Sequence, residues 1–315
     1  MALFRKVMRI RAVDSPNVRL ALLQESRGLP ITNEILVDGV ISYSTYLQKR
    51  ATLDAVRQCV GLDAMFYEGA EVLLFPPLWL DHAEEVAFKL KESKVKRQAE
   101  TMGIDPAEGG DSTVWTVCDR LGIMHQEGQK TVDTSVIVPK TIALMNQYGI
   151  RPNNVLFDRG GGGKQHVDAL RAKGYNVRAI AFGEPATAPE GRPLSAIKSN
   201  AKIRDEQEAK TIYKNRRAEM YAELRFLMLD PAVNERGFGI PAEYVELRRQ
   251  LAPIPLWYDG DGKLFLPPKH RKPGTDSEEV TMVDLIGCSP DEADSTVLAV
   301  HGLLHRKETR VIGAY

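Results

Sequence analysis

Three aspartates stand at the edges of apolar runs: Asp105 after Met102-Gly103-Ile104, Asp158 after Val155-Leu156-Phe157, and Asp294 just ahead of Ser295-Thr296-Val297-Leu298. A carboxylate ending a buried strand is costly unless its charge is compensated, and a divalent cation is the usual compensation. Three such groups brought together would make a hard, oxygen-only site of the kind that holds Mg²⁺ or Mn²⁺ against a phosphate. Asp291 opens a Ser-Pro-Asp helix start and reads mostly as a cap. His301 and His305 are four apart, a spacing that can bind zinc. A metalloprotease would need Glu where Gly302 stands, so the two read as a surface or packing pair. No Ser–His arrangement offers a covalent nucleophile.

The elements that must carry the acids follow from periodicity. Residues 98–105, 112–118 and 124–131 read as strands in a meander, the first two separated by a Gly109-Gly110 turn. A helix is expected over 136–148, stopped by Gly149. Residues 154–158 form a short, continuously apolar strand of the type buried on both faces. A helix over 164–173, a strand over 176–182, a long amphipathic helix over 201–229, a hairpin around Asp259-Gly260-Asp261-Gly262 and a closing helix over 290–304 complete the chain. Three strands, then helix, strand, helix, strand, helix is the order of a ribonuclease-H-like core: an α/β mixed sheet flanked by helices. In that topology the first and fourth strands are neighbours, which would bring Asp105 beside Asp158, with the last helix delivering Asp294. Residues 1–97 read as a mostly helical or irregular extension: a weak strand over 4–13, a turn at Asp14-Ser15-Pro16-Asn17, and helices over 45–60 and 80–90. The charged run 89–97 marks the expected boundary, with the nuclease-like domain over 98–315.

Bulk properties narrow the function classes. With 315 residues and 43% hydrophobic content, the chain can bury a full core. Its three cysteines (Cys59, Cys118, Cys288) form no CxxC pair, which argues against a zinc ribbon or disulfide framework and for a reducing, intracellular compartment. The most apolar run, 72–80, is broken by Pro76 and Pro77, so neither a signal peptide nor a membrane span is expected. Balanced charge, 42 basic against 42 acidic residues, disfavours a general nucleic-acid coat but not a local basic groove. Such a bias exists between Arg192 and Arg217. Lys202, Lys210, Arg216 and Arg217 are its candidate phosphate contacts, joined by Arg159 and Lys164 around the Gly160–Gly163 run. A second basic cluster, Lys269-His270-Arg271-Lys272, lies between prolines and reads as a solvated loop.

Three stretches carry a family resemblance: Gly103-Ile104-Asp105-Pro106-Ala107-Glu108-Gly109-Gly110-Asp111, Val155-Leu156-Phe157-Asp158-Arg159-Gly160, and Ser289-Pro290-Asp291-Glu292-Ala293-Asp294-Ser295. They resemble the nuclease-domain motifs of the large terminase subunit of tailed bacteriophages. Residues 214–229 are similar to the helix between the second and third motifs of that family. Residues 12–17 and 77–80 resemble the linker that follows its ATPase motor. The resemblance implies a metal-dependent endonuclease that cuts concatemeric double-stranded viral DNA by two-metal hydrolysis, with Asp105, Asp158 and Asp294 holding two Mg²⁺ or Mn²⁺ ions. It also implies Asp111 as a further ligand; the small terminase subunit, portal protein and a packaging ATPase as partners; and the host cytoplasm as location, with no membrane. The family's ATPase is a departure. The only Walker-like string, Gly160-Gly161-Gly162-Gly163-Lys164-Gln165, has Asp158 where a P-loop needs glycine and Gln165 where it needs Ser or Thr, so no ATP hydrolysis is expected. The alternatives are a junction resolvase or RNA–DNA hybrid nuclease, which would share the acids, and a non-catalytic packaging adaptor. An actin-like or sugar-kinase-like protein also opens with Gly-Ile-Asp, but it wants a Gly-Thr-rich phosphate loop that is not visible.

Overall fold

A computed structural model of the chain describes residues 9–52, 58–64, 72–109, 112–186, 212–228, 237–271 and 280–305. Two compact units result, Met1–Val72 and Leu73–Tyr315.

In the smaller unit, helices α1 (Pro16–Ser26) and α2 (Tyr43–Thr52) bury Val18, Ala21 and Tyr43 against one another. The Asn17 side chain accepts the amides of Leu36 (2.8 Å) and Val37 (3.0 Å), fixing the intervening loop. The strand expected over 4–13 is not seen in its described part, where Ala12–Asp14 makes a 3₁₀ turn closed by the Arg11–Asp14 pair. The Pro16 that suggested a turn instead starts α1, since proline's missing N–H costs nothing in a first helical turn.

The larger unit opens with α3 (Pro77–Glu92), ahead of the expected boundary at 97. Arg248 ties it to the rest of the unit through Asp81 (2.6 Å) and Glu84 (2.8 Å). Its centre is a five-stranded sheet of β1 (Thr101–Asp105), β2 (Ser112–Asp119), β3 (Gly122–Lys130), β4 (Val155–Asp158) and β5 (Arg178–Ile180), in the order β3-β2-β1-β4-β5. β1, β2 and β3 pair antiparallel as a meander; β1–β4 and β4–β5 are parallel. This is the expected ribonuclease-H-like order, with the first strand beside the fourth. Helix α4 (Ile137–Tyr148) precedes β4, helix α5 (Gly163–Ala172) joins the parallel pair β4 and β5, and the two cover one face. After the sheet come α6 (Arg216–Met228), α7 (Val245–Leu251), a two-stranded hairpin β6–β7 (Trp257–Tyr258 and Leu264–Phe265), the short α8 (Met282–Ile286) and α9 (Asp291–Leu304).

The amphipathic helix expected over 201–229 is shorter at its described end. Tyr213 bridges to Leu264 of the hairpin, and the Asn215 side chain accepts the Ala218 amide (3.0 Å), so the helix begins at Arg216. An Asn able to cap the backbone competes with helix continuation. The remainder of that expected helix lies outside the described residues.

The pleat sorts the sheet's side chains. Met102 and Ile104 on β1, with Val155 and Phe157 on β4, join the core under α4 and α5, together with Trp115, Leu144, Met145, Val167 and Leu170. Their alternates, Gly103 and Asp105 on β1 and Leu156 and Asp158 on β4, must face the other side. That side is covered by α9, which is buried along nearly its whole length. It lies close because Gly103 has no side chain: a Cβ there would stand 2.2 Å from the Ser295 carbonyl and 2.4 Å from the Ala299 amide. Polar groups lock the contact: Thr101 donates to the Ala299 carbonyl (2.8 Å), and Ser295 to the Gly103 carbonyl (3.0 Å).

Candidate active site

Asp105 and Asp158 end neighbouring parallel strands. Ile104 is registered with Phe157, and the next residue on each strand is the aspartate. Both lie on the α9 face, and α9 brings Asp294 in its first turn, buried to 1% exposure. The three acids expected from sequence are thus brought together by one strand pair and one helix.

Asp294 is gripped from α6. Tyr221 donates its hydroxyl to Asp294 Oδ1 (2.7 Å), and the Arg217 guanidinium approaches the same oxygen (3.3 Å). Lys269, just after the hairpin, places its ammonium 3.8 Å from Asp105 Oδ2, 3.7 Å from Asp294 Oδ2 and 3.5 Å from Asp291 Oδ1. Asp291, expected to cap α9, is that helix's first residue, behind an N-cap at Pro290, and its Oδ1 faces Lys269 in the acid cluster and accepts from Ser289. The Asp158 carboxylate is set by the chain turning away from β4, its Oδ1 accepting the Gly160 amide (3.1 Å).

The electrostatics are those of crowded, poorly hydrated acids. Burial pushes the Asp105 carboxyl well above its usual range; Lys269 opposes this, while Asp294, Asp158 and Asp291 reinforce it. Burial also pushes Asp158 up, to about 6, with Asp294 adding to the rise and Gly160, Lys269 and Arg217 opposing it. Tyr221 is held well above the ordinary phenol range by burial and by Asp294. Burial works against the charges of Lys269 and Arg217, but the surrounding carboxylates outweigh it and keep both firmly protonated.

The donor set fits a hard divalent cation. Asp105 Oδ2 and Asp294 Oδ2 are buried and make no hydrogen bond among the described residues, with Lys269 3.8 Å and 3.7 Å away. A buried carboxylate oxygen left in that state is costly without a cation. All the donors are oxygens, which suits Mg²⁺ or Mn²⁺ over softer ions.

Solved structures show which known architecture this is. The nuclease domain of the large terminase subunit gp2 of bacterial virus Sf6 superposes with TM-score 0.51 at 19% identity, covering 73% of this chain and 99% of that one. A lysine-to-alanine variant of that domain, solved with manganese and β-thujaplicinol, matches with TM-score 0.51 at 20% identity and the same coverage. A lysine-to-alanine variant solved with calcium matches with TM-score 0.51 at 18% identity, again over 73% and 99%. The chain has the fold of a terminase nuclease domain. Neither a protein-family model nor a curated protein matches the sequence.

Within this terminase-nuclease fold the other expected site residues fall as follows. Asp111, Lys202 and Lys210 lie outside the described residues. Arg159 pairs with Glu184 (2.9 Å) and Lys164 with Asp168, both at the surface near the Gly160–Gly163 turn. Arg216 leans on Glu219 (3.4 Å) and the Pro185 carbonyl (3.2 Å), and Arg217 turns into the acid cluster. Sequence reasoning missed Lys269 and Tyr221. The only signal for Lys269 was its basic run between prolines; Tyr221 carried none beyond its place in an amphipathic helix.

Proposed function

We propose that the chain is a metal-dependent endonuclease that cuts concatemeric double-stranded viral DNA during genome packaging, by two-metal phosphodiester hydrolysis. The observation that carries this is the convergence of Asp105, Asp158 and Asp294, with two buried carboxylate oxygens that make no hydrogen bond among the described residues. The terminase-nuclease fold supports it: one Sf6 domain of that fold was solved with manganese. Asp105, Asp158 and Asp294 would hold two Mg²⁺ or Mn²⁺ ions, with Asp291 at the edge of the cluster and Asp111 as a further ligand. Bound there, the ions would supply an activated water and stabilise the charge that builds on the leaving oxygen.

The protein's own groups do the positioning. Tyr221 and Arg217 fix Asp294 in one rotamer, and the Gly160 amide fixes Asp158. Lys269 offers a positive charge within the acid cluster, where a scissile phosphate would sit. Arg159, Lys164, Lys202, Lys210 and Arg216 are the proposed backbone contacts. They neutralise phosphates without reading bases, so cleavage depends little on sequence and falls with salt. The small terminase subunit, portal protein and a packaging ATPase are the proposed partners, and the host cytoplasm is the proposed location. Among the described residues no helix is long and apolar enough to cross a membrane.

The test is cleavage of linear duplex, four-way junction and RNA–DNA hybrid by the purified chain in Mn²⁺, Mg²⁺ and EDTA. Duplex cleavage in either metal, abolished by EDTA, is expected. Faster cleavage of junction or hybrid than of duplex would overturn the substrate assignment.

A further inference from the structure

Helices α6 and α9 meet at two places. At one, Arg217 and Tyr221 grip Asp294. At the other, two helical turns along α9 and so roughly 10 Å away, Glu223 of α6 lies between His301 and His305. His301 Nδ1 is 2.9 Å from Glu223 Oε2, and His305 Nε2 is 2.6 Å from Glu223 Oε1. The two rings lie 3.9 Å apart, as the four-residue spacing on one helix face dictates. One nitrogen from each ring and a carboxylate oxygen fall within 4.8 Å of one another. All three residues are buried: Glu223 is 7% exposed, His301 1% and His305 3%.

Among the described residues, the ion-pair partners of Glu223 are these two histidines. A buried carboxylate flanked by imidazoles costs far less when a cation sits among them. Two imidazoles and one carboxylate are the protein donors of a three-ligand zinc site, and their softness differs from that of the all-oxygen aspartate cluster.

We propose that Glu223, His301 and His305 form a second metal site, separate from the aspartate cluster, that takes a borderline transition-metal ion of the Zn²⁺ class with a water completing its shell. The ion pins α6 to α9, so its role is to hold Arg217 and Tyr221 in place against Asp294. This requires the hydrogen-bonded nitrogens and oxygens to part by about half an ångström or more, since ligand atoms around a zinc ion bonded at about 2.1 Å stand further apart than hydrogen-bonded ones.

The site is tested without reference to cleavage. In the full chain carrying Asp105→Asn and Asp294→Asn, the aspartate cluster loses its affinity for metal while the proposed site stays intact. After EDTA treatment and its removal, Co²⁺ titration followed by visible absorption is expected to show one ion per chain, with the intense bands of a low-coordinate nitrogen-bound cobalt. Zn²⁺ is expected to displace it and to raise the melting temperature. Adding His301→Asn or His305→Gln, each of which keeps an N–H for Glu223, is expected to weaken binding at least tenfold. No Co²⁺ or Zn²⁺ uptake by the doubly substituted chain, or equal uptake by the folded histidine variants, would overturn the site. Should the histidine variants fail to fold, the stoichiometry and cobalt spectrum of the doubly substituted chain decide the matter by themselves.

Discussion

Gly103→Ala perturbs the site without touching any acid. The new methyl carbon would stand 2.2 Å from the Ser295 carbonyl oxygen and 2.4 Å from the Ala299 amide, both backbone atoms of α9. An ordinary contact is about 3.5 Å, so helix and strand must separate by roughly 1 Å. Overpacking of this kind costs about 1–3 kcal/mol of stability. The same movement carries Asp294 away from Asp105 and Asp158, and a misplacement of about 1 Å costs on the order of 10²-fold in rate. Gly260→Ala is the matched control, since a Cβ there meets nothing within 4 Å. Urea unfolding with plasmid nicking in Mn²⁺ would read both effects. A lower urea midpoint and about a hundredfold slower nicking are expected for Gly103→Ala, with Gly260→Ala near wild type. A Gly103→Ala protein as stable and as active as wild type would refute the idea that the close helix–strand approach sets the site.

Tyr221→Phe removes the hydroxyl bonded to Asp294 at 2.7 Å. Its expected cost is about 1–2 kcal/mol in urea unfolding, and an unchanged midpoint would count against that bond. Lys269→Met removes an ammonium lying 3.5 to 3.8 Å from three carboxylates. Calorimetry is expected to show Mn²⁺ binding at least about tenfold tighter; weaker binding would show that lysine and metal do not compete. Asp158 titrates at about 6 in the fold, against an ordinary 3.8. Its protonated form is the one the fold prefers, so its contribution to stability is complete below the ordinary value and disappears as pH rises through about 6. For this half-buried side chain the loss is about 2 kcal/mol once exposure to water is allowed for. Urea melts in EDTA at acidic and neutral pH should show that loss in wild type but not in Asp158→Asn, and parallel behaviour of the two would contradict it.

Strand periodicity made much of this legible. The apolar run before Asp158 marked a strand buried on both faces, and the order of elements implied that the strands ending in Asp105 and Asp158 are neighbours. Helix 291–304 was readable from its pattern, but its fit against β1 was not, because that depends on Gly103 meeting a backbone almost two hundred residues away. Lys269 was read as part of a solvated run, since nothing local indicates that a lysine flanked by prolines will be folded back over buried acids. Asp291 looked like a cap for the same reason. Glu223 went unnoticed because a carboxylate on an amphipathic helix normally faces water. His301 and His305 were seen at their spacing, yet only the packing of α6 against α9 supplied the carboxylate between them.

Whether the three aspartates carry the chemistry is read by Mn²⁺-dependent nicking of supercoiled plasmid by the wild-type chain beside Asp105→Ala and Asp294→Ala. Wild type is expected to nick, and each variant to lose at least about a thousandfold while remaining folded. Variants that nick as fast as wild type would place the chemistry elsewhere in the chain.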